Sequence, residues 1–130
     1  MLEVNVSLTA LFLSWNDIRG EGLAVISKGI EVNTSIKVID LSFNPLGSMH
    51  MQKVKGIVAL SNAFSINRSL VHIDLSYVGL DLEDCDILNE GLKKNHIVLG
   101  IHMLGNLRGL DAKGFCSSDV VPPSASHIYK

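Results

Sequence analysis

The side chains able to do chemistry in this sequence are few, and they recur in the same short words. Asp40-Leu41-Ser42 returns as Asp74-Leu75-Ser76, His72 stands two residues before Asp74, and His102 follows Asp74 at the repeat distance described below. Ser42 or Ser76 with His72 or His102 and an aspartate would suit acyl transfer if a strained turn exposed the hydroxyl and N–H groups faced an oxyanion. Neither serine lies in such a motif, so no catalytic residue is assigned. Asp40, Asp74 and His102 side by side would relieve carboxylate repulsion through a cation or a protonated imidazole. Three metal ligands must converge on a point, however, and a flat row seldom does so. No metal ligand is assigned.

The remaining candidates are weaker still. Glu83, Asp84 and Asp86 crowd Cys85 with negative charge and disfavour its thiolate. His50, His96 and His127 read as lone surface histidines, and Lys53, Lys55, Lys93 and Lys94 as solvated charges near helix ends. The sequence has no phosphate loop, no dinucleotide-binding glycine pattern and no C-x-x-C, and no cofactor is implied. The expectation is a protein that is not an enzyme.

Composition narrows the class further. The 130 residues are 47% apolar and 18% charged, enough for one packed domain and unlike a disordered chain. A net charge of −2 gives no electrostatic case for nucleic acid or an anionic membrane as partner. No apolar run approaches the ~18 residues of a membrane span. Cys85 and Cys116 are too few for a disulfide framework, which points to a reducing, cytoplasmic compartment. The N-terminal stretch lacks the basic leader and small-residue cleavage site of a secretory signal.

A repeat positions these residues. Leu8, Leu11, Leu13, Asn16, Ile18, Gly22, Ile26, Ile30, Asn33 and Ser35 fall at offsets that begin again 28 residues later with Ile36, Ile39, Leu41, Asn44 and Leu46. The series resumes six residues late at Gly56, Leu60, Phe64, Asn67 and Ser69. It then restarts at Leu70 (Ile73, Leu75, Leu80, Leu88, Leu92, Asn95) and at Val98 (Ile101, Met103, Asn106). The units span 8–35, 36–69 with its six-residue insertion, 70–97, and a partial closing unit over 98–116. Residues 1–7 are the tail of a preceding unit, and 117–130 are an extended tail.

The pattern L-x-x-L-x-L-x-x-N-x-L followed by G-x-x-x-L-x-x-x-L-x-x-N-x-S resembles the leucine-rich repeat, and the 28-residue unit is similar to its ribonuclease-inhibitor-like subclass. The resemblance covers residues 2 to about 106. It implies an α/β solenoid with a curved parallel sheet on the concave side and helices on the convex side. The closing run GIHMLGNLRGLDAKGF also looks like the last unit of long repeat proteins, including some from ciliated and flagellated cells. A ciliary or cytoskeletal location would follow from that likeness.

Residue physics agrees with the resemblance. Alternating pairs such as Ile39 and Leu41 read as strands. Spacings of four, as in Ile26 and Ile30, line one face of a helix. Gly22, Gly56 and Asp84 are placed for N-caps, and Asn33, Asn67 and Asn95 for left-handed C-caps. Asn16, Asn44 and Asn106 form a structural ladder satisfying the turns after the strands. Val78 interrupts that ladder, so the turn around it is expected to be irregular. The insertion within Gly47–Lys55 either extends a helix, starting near Ser48, or forms a convex loop; the extension is preferred, with Met49 and Met51 as packing residues.

Outward strand positions then form rows: Ala10, Val38, His72, Gly100; Phe12, Asp40, Asp74, His102; Ser14, Ser42, Ser76, Leu104; and Trp15, Phe43, Tyr77, Gly105. The aromatic row either anchors a protein ligand or covers the corner by packing on itself. The candidate partner-binding residues are Trp15, Phe43, Tyr77, Phe12, Asp40, Asp74, His72 and His102. At the N-terminal edge, Leu8, Leu11, Leu13, Ile26 and Ile30 would expose about 300–400 Å², worth about 8–10 kcal/mol. Further repeats of a longer chain, or a neighbouring subunit, are expected to cover them. At the other end, Gly105, Gly109, Gly114 and Arg108 break the period, with Leu107, Leu110 and Phe115 as an alternative apolar set. Ile128 and Tyr129 lie in a loose tail. The expected function is protein–protein contact through the concave face. The alternatives are a structural subunit held by its edges, insertion and tail, and a regulator of a small GTPase or another enzyme.

Overall fold

Each repeat step in the sequence corresponds to one strand and one helix. The computed structural model describes residues 1–47, 49–106, 109–110 and 116–117, the last two pairs as backbone. Ser48, Leu107, Arg108, Gly114, Phe115 and the tail with His127, Ile128 and Tyr129 lie outside the described residues. Strands β1 (Ala10–Phe12), β2 (Val38–Asp40), β3 (His72–Asp74) and β4 (Gly100–His102) form a parallel sheet in chain order. Helices α1 (Gly20–Val32), α2 (His50–Ile66) and α3 (Leu82–Leu92) connect them. A short antiparallel pair follows, β5 (Gly109–Leu110) with β6 (Cys116–Ser117).

The strands pair in repeat register: Ile39 lies opposite Leu11 and Ile73, and Ile73 opposite Ile101. These inward residues meet Leu23, Ile30, Ile57, Leu60, Phe64, Leu88 and Leu92 from the helices in one apolar core. One sheet face is therefore covered by helices, and the other carries the rows Ala10, Val38, His72, Gly100 and Phe12, Asp40, Asp74, His102. Three-residue strands cannot stand alone, so the core contacts between units hold the sheet.

Helix starts differ from the expectation. Arg19, Met49 and Asp81 occupy the N-cap positions, and Asp84 is the reciprocal partner in a capping box with Asp81. Gly56 is instead a point of close approach, where a Cβ would run into the Gly20 carbonyl and force α1 and α2 apart. The extra residues of the second unit lengthen α2 at its N-terminus, which begins at His50. Met49 and Met51 do not pack; both are exposed, because this added turn projects past the core.

Asn33 and Asn67 are also not left-handed caps. Their backbones are extended, with φ of −71° and −62°. Extended backbone leaves the amide free to act across repeats. Asn67 Oδ1 accepts from Ser69 N and Leu70 N at 2.9 and 2.7 Å, while its Nδ2 donates to Ile30 O and Asn33 O at 2.7 and 3.0 Å. Asn33 reaches Leu2 O and Asn5 O, and Asn95 reaches Phe64 O and Asn67 O, in the same way. Asn5 Oδ1 accepts from Ser7 N and Leu8 N, so it carries the near half of the same device. The N-terminal face is less open than expected. Leu2 is buried against Gly29, Ile30 is buried, and Leu8, Leu11, Leu13 and Ile26 are half-buried.

Candidate functional site

The outward sheet face and the corner beside it hold the candidate residues. At the corner Trp15, Phe43 and Tyr77 all have left-handed backbones, with φ of 61°, 56° and 57°. That region costs an L-residue about 1–2 kcal/mol, so three repeats hold the same strained turn. The strain aims the rings along the repeat axis. Trp15 stacks on Phe43 at 4.2 Å between centroids and 8° between planes, and Phe43 on Tyr77 at 4.6 Å and 10°. Parallel rings at these distances add about 0.5–1.5 kcal/mol per pair beyond their burial. The row therefore packs on itself while leaving Trp15 74% exposed.

The stack ends on Gly105, whose φ is +71° and whose Cα faces the Tyr77 ring. A Cβ there would enter the ring. Gly105→Val is expected to cost about 2 kcal/mol from backbone strain together with ring displacement. Thermal unfolding and the near-ultraviolet circular dichroism of the aromatic stack check both parts; an unchanged spectrum would contradict the ring contact.

On the sheet, Asp40 Oδ1 accepts from Ser42 N at 2.9 Å and from Ser42 Oγ at 2.6 Å, and Asp74 Oδ1 accepts from Ser76 N at 2.9 Å. These carboxylates close the strand ends, and the Ser42 hydroxyl is committed to an aspartate rather than to a histidine. His72 and His102 lie 4.6 Å apart between ring centroids, tilted by 45°, with Gly100 leaving room beside the His72 ring. Phe12 is 69% exposed at the sheet edge. The arrangement can offer carboxylate oxygens, imidazoles and aromatic surface to a ligand. Among the described residues, no group of three His, Cys, Asp or Glu is placed to hold a metal ion.

The corner amides support this face. Asn44 Oδ1 accepts from Asn16 N and Ile18 N at 2.8 and 3.0 Å, and its Nδ2 donates to Leu13 O at 2.7 Å. Asn106 does the same for Gly79 N, Leu80 N and Leu75 O. Each amide thus serves the repeat before its own. Val78 consequently does not deprive its own turn, which Asn106 holds. The loss falls one repeat earlier, where Leu46 N bonds the Val78 carbonyl at 3.3 Å.

One ionic cluster was not foreseen, because Lys53 reads in sequence as a solvated charge. Its ammonium lies 2.8 Å from Asp84 Oδ2, 3.0 Å from Asp81 Oδ2 and 3.3 Å from the Gly79 carbonyl. The Lys53 side chain is 12% exposed and that of Asp84 1%. Asp84 Oδ1 is buried without a hydrogen-bond partner among the described residues. Burial works against the Lys53 charge, but the bonds from Asp84 and Asp81 outweigh it and hold its pKa above the ordinary lysine value. Burial likewise opposes charge on Asp81, where the Asp84 N–H and Lys53 prevail and keep the carboxyl low. At Asp84 burial prevails over Lys53 and pushes the carboxyl up. The signal in the sequence is the repeat offset: Lys53 stands 28 residues before Asp81, which makes them lateral neighbours.

The Leucine Rich repeat family model matches residues 4–27 and 32–48. No curated protein matches the chain. Among the described residues, no helix is long and apolar enough to cross a membrane.

Proposed function

We propose that this chain, whose residues 4–27 and 32–48 match the Leucine Rich repeat family model, binds another protein through the outward face of its sheet without catalysis of its own. Leucine-rich repeats generally mediate protein–protein interaction and are typically non-catalytic. The observation that carries the reading here is the strained, stacked ridge of Trp15, Phe43 and Tyr77 beside the acidic pair Asp40 and Asp74. The ridge supplies rigid aromatic anchors, and His72, His102 and Phe12 complete the surface. We place the chain in the ribonuclease-inhibitor-like subclass, on its 28-residue step and its helix in every full unit, with the sheet as the concave side of an arc. Buried Cys85 fits a cytoplasmic setting.

The test uses partners captured by crosslinking from the native source, followed by affinity measurements on the purified pair. Trp15→Gly retains the left-handed turn without strain, so its effect reads the ring alone. Binding is expected to weaken by more than about 1 kcal/mol, with thermal unfolding little changed. Unchanged binding in both Trp15→Gly and the Asp40→Asn, Asp74→Asn double variant would remove the sheet-face reading. A second reading has its own observation. Met49 and Met51 are exposed on the helix extension, which suits a subunit of a large assembly, cytoskeletal or ciliary, held through its insertion.

A further inference from the structure

Where α1 and α2 give way to the strands that follow them, the surface dips into a pocket of about 140 Å³ lined by Asn33, Thr34, Lys37, Arg68 and Ser69. Two of the five are cations and none is a carboxylate. Thr34 and Arg68 follow Asn33 and Asn67 in successive units, which makes them lateral neighbours. Lys37 joins them from the residue before β2, where its carbonyl accepts from Val71 N and His72 N at 2.9 and 3.0 Å. Arg68 is held in place, because its Nη1 donates to Ser65 O at 3.1 Å and to Asn67 O at 3.0 Å. Those two bonds use both hydrogens of Nη1. The Nε–Nη2 edge, a fork able to grip two oxygens at once, has no partner among the described residues, and neither have the Lys37 ammonium and the Thr34 hydroxyl. Helix C-termini ordinarily repel an anion. Here the nearby carbonyls are already engaged: Asn33 O accepts from Asn67 Nδ2 and Ser69 Oγ, and Asn67 O from Arg68.

We propose that this pocket binds the phosphate of a phosphorylated serine or threonine on a partner protein. Two cations match a phosphate monoester, which carries close to two negative charges at neutral pH; a carboxylate would leave one of them unmatched. The Arg68 fork takes two oxygens, and Lys37 and the Thr34 hydroxyl serve the third. Sites for whole small molecules occupy about 300–1,000 Å³, so this one admits the phosphate and leaves its bearer outside. Anionic lipid surfaces are recognised by clusters of about 4–8 Lys and Arg, against the two here, which favours a protein side chain over a headgroup. The pocket shares no residue with the aromatic ridge or the acidic row, so it can hold if the sheet-face reading fails, and fail if that reading holds.

The probes are a peptide library degenerate around a fixed phosphoserine and the same library with serine, applied to the full chain. The chain is expected to retain phosphoserine peptides of selected flanking sequence and not their serine counterparts. Titrating a selected peptide should move the Arg68 Nε–H and Thr34 amide signals in nuclear magnetic resonance to saturation. Lys37→Ala and Arg68→Lys should each weaken binding by about tenfold or more, the weight of one charge-assisted hydrogen bond. Arg68→Lys keeps the positive charge at the end of α2 and loses the fork, so a merely structural arginine would leave binding unchanged. Affinity should also fall as pH drops through about 6, where the monoester loses its second charge. Equal retention of both libraries, or full binding in Arg68→Lys, overturns the proposal. So does inorganic phosphate that saturates the Arg68 signal at lower concentration than any selected peptide, which would assign the pocket to a free anion. Retention by phosphatidylinositol 4-phosphate vesicles without retention of the phosphoserine library would assign it to a membrane and overturn it as well.

Discussion

Lys53→Met is expected to destabilise the protein by about 3 kcal/mol near neutral pH, the cost of leaving a buried charge without its partner. The methionine matches the aliphatic stem of the lysine, so the loss reads the ammonium. Asp84 is 1% exposed in the wild type; with Lys53 gone its Oδ2 is left with the Asp81 N–H at 2.9 Å, and its Oδ1 has no partner among the described residues. The carboxylate then has reason to protonate.

The sign of the pH dependence separates this account from a packing defect. In the wild type, Lys53 is raised above its unfolded value. Its contribution is fully present below the unfolded lysine pKa and is lost as pH rises through the folded one, so the joint between α2 and α3 weakens in alkali. Asp81 is lowered, and its contribution is present above the unfolded carboxylate pKa and lost as pH falls through the folded one. Asp84 is raised and carries a penalty that disappears as it protonates. Removing Lys53 lifts Asp84 further. The Lys53→Met protein should therefore gain stability relative to wild type as pH falls from about 7.5 to 5. Chemical denaturation across that range measures it. A difference from wild type that stays constant with pH would mean the lysine acts through packing alone.

The repeat made the strand register legible, because a period of 28 dictates which residues become lateral neighbours whatever the local turns do. Ala10 with Val38 and Asp74 with His102 follow from offset alone. The helix starts were not legible in the same way. Gly22 and Gly56 carry the mark of a cap, yet Gly56 is used for close packing against Gly20, a contact between distant residues that no local signal reports. Asn33 and Asn67 suited a left-handed cap by residue type, but four hydrogen bonds to two repeats outweigh a local preference of a fraction of that energy.

Charge was misread for a related reason. Lys53 has no acidic residue within helical reach, so a reading along the chain leaves it solvated; the 28-residue offset that holds after the insertion, as between Leu60 and Leu88, rather than the 34 residues between Asp40 and Asp74, brings Asp81 beside it when counted back to Lys53. The exposed Met49 and Met51 show the limit of periodicity in the other direction. An insertion breaks the period, and the turn it adds ahead of Lys53 inherits no face from the repeat. The aromatic ridge lies between these cases. Its row was legible by offset, while the left-handed turns that stack the rings face to face were not, since aromatic residues rarely occupy that region.

Asn67→Ala should rival the lysine variant in cost, at about 3–4 kcal/mol. The side chain is 3% exposed, and its removal leaves the Ser69 and Leu70 N–H groups and the Ile30 and Asn33 carbonyls to find other partners. Each buried group left without a partner costs about 1–3 kcal/mol, reduced where neighbours relax. Ser69 Oγ already bonds the Asn33 carbonyl at 3.3 Å and softens one of the four losses. The same change at Asn16, which is exposed and bonds two carbonyls of its own repeat, should cost about 1 kcal/mol or less. Asp at 67 is the informative control. It keeps the acceptor for Ser69 and Leu70 but turns the donor into a second acceptor facing two carbonyls, so Asn67→Asp should be at least as harmful as alanine at neutral pH. Equal, small losses at Asn16 and Asn67 would mean that the amides decorate a fold held by the leucines. A large loss confined to Asn67 would mean that hydrogen bonds across the helix-to-strand returns carry the joint between repeats where water cannot replace them.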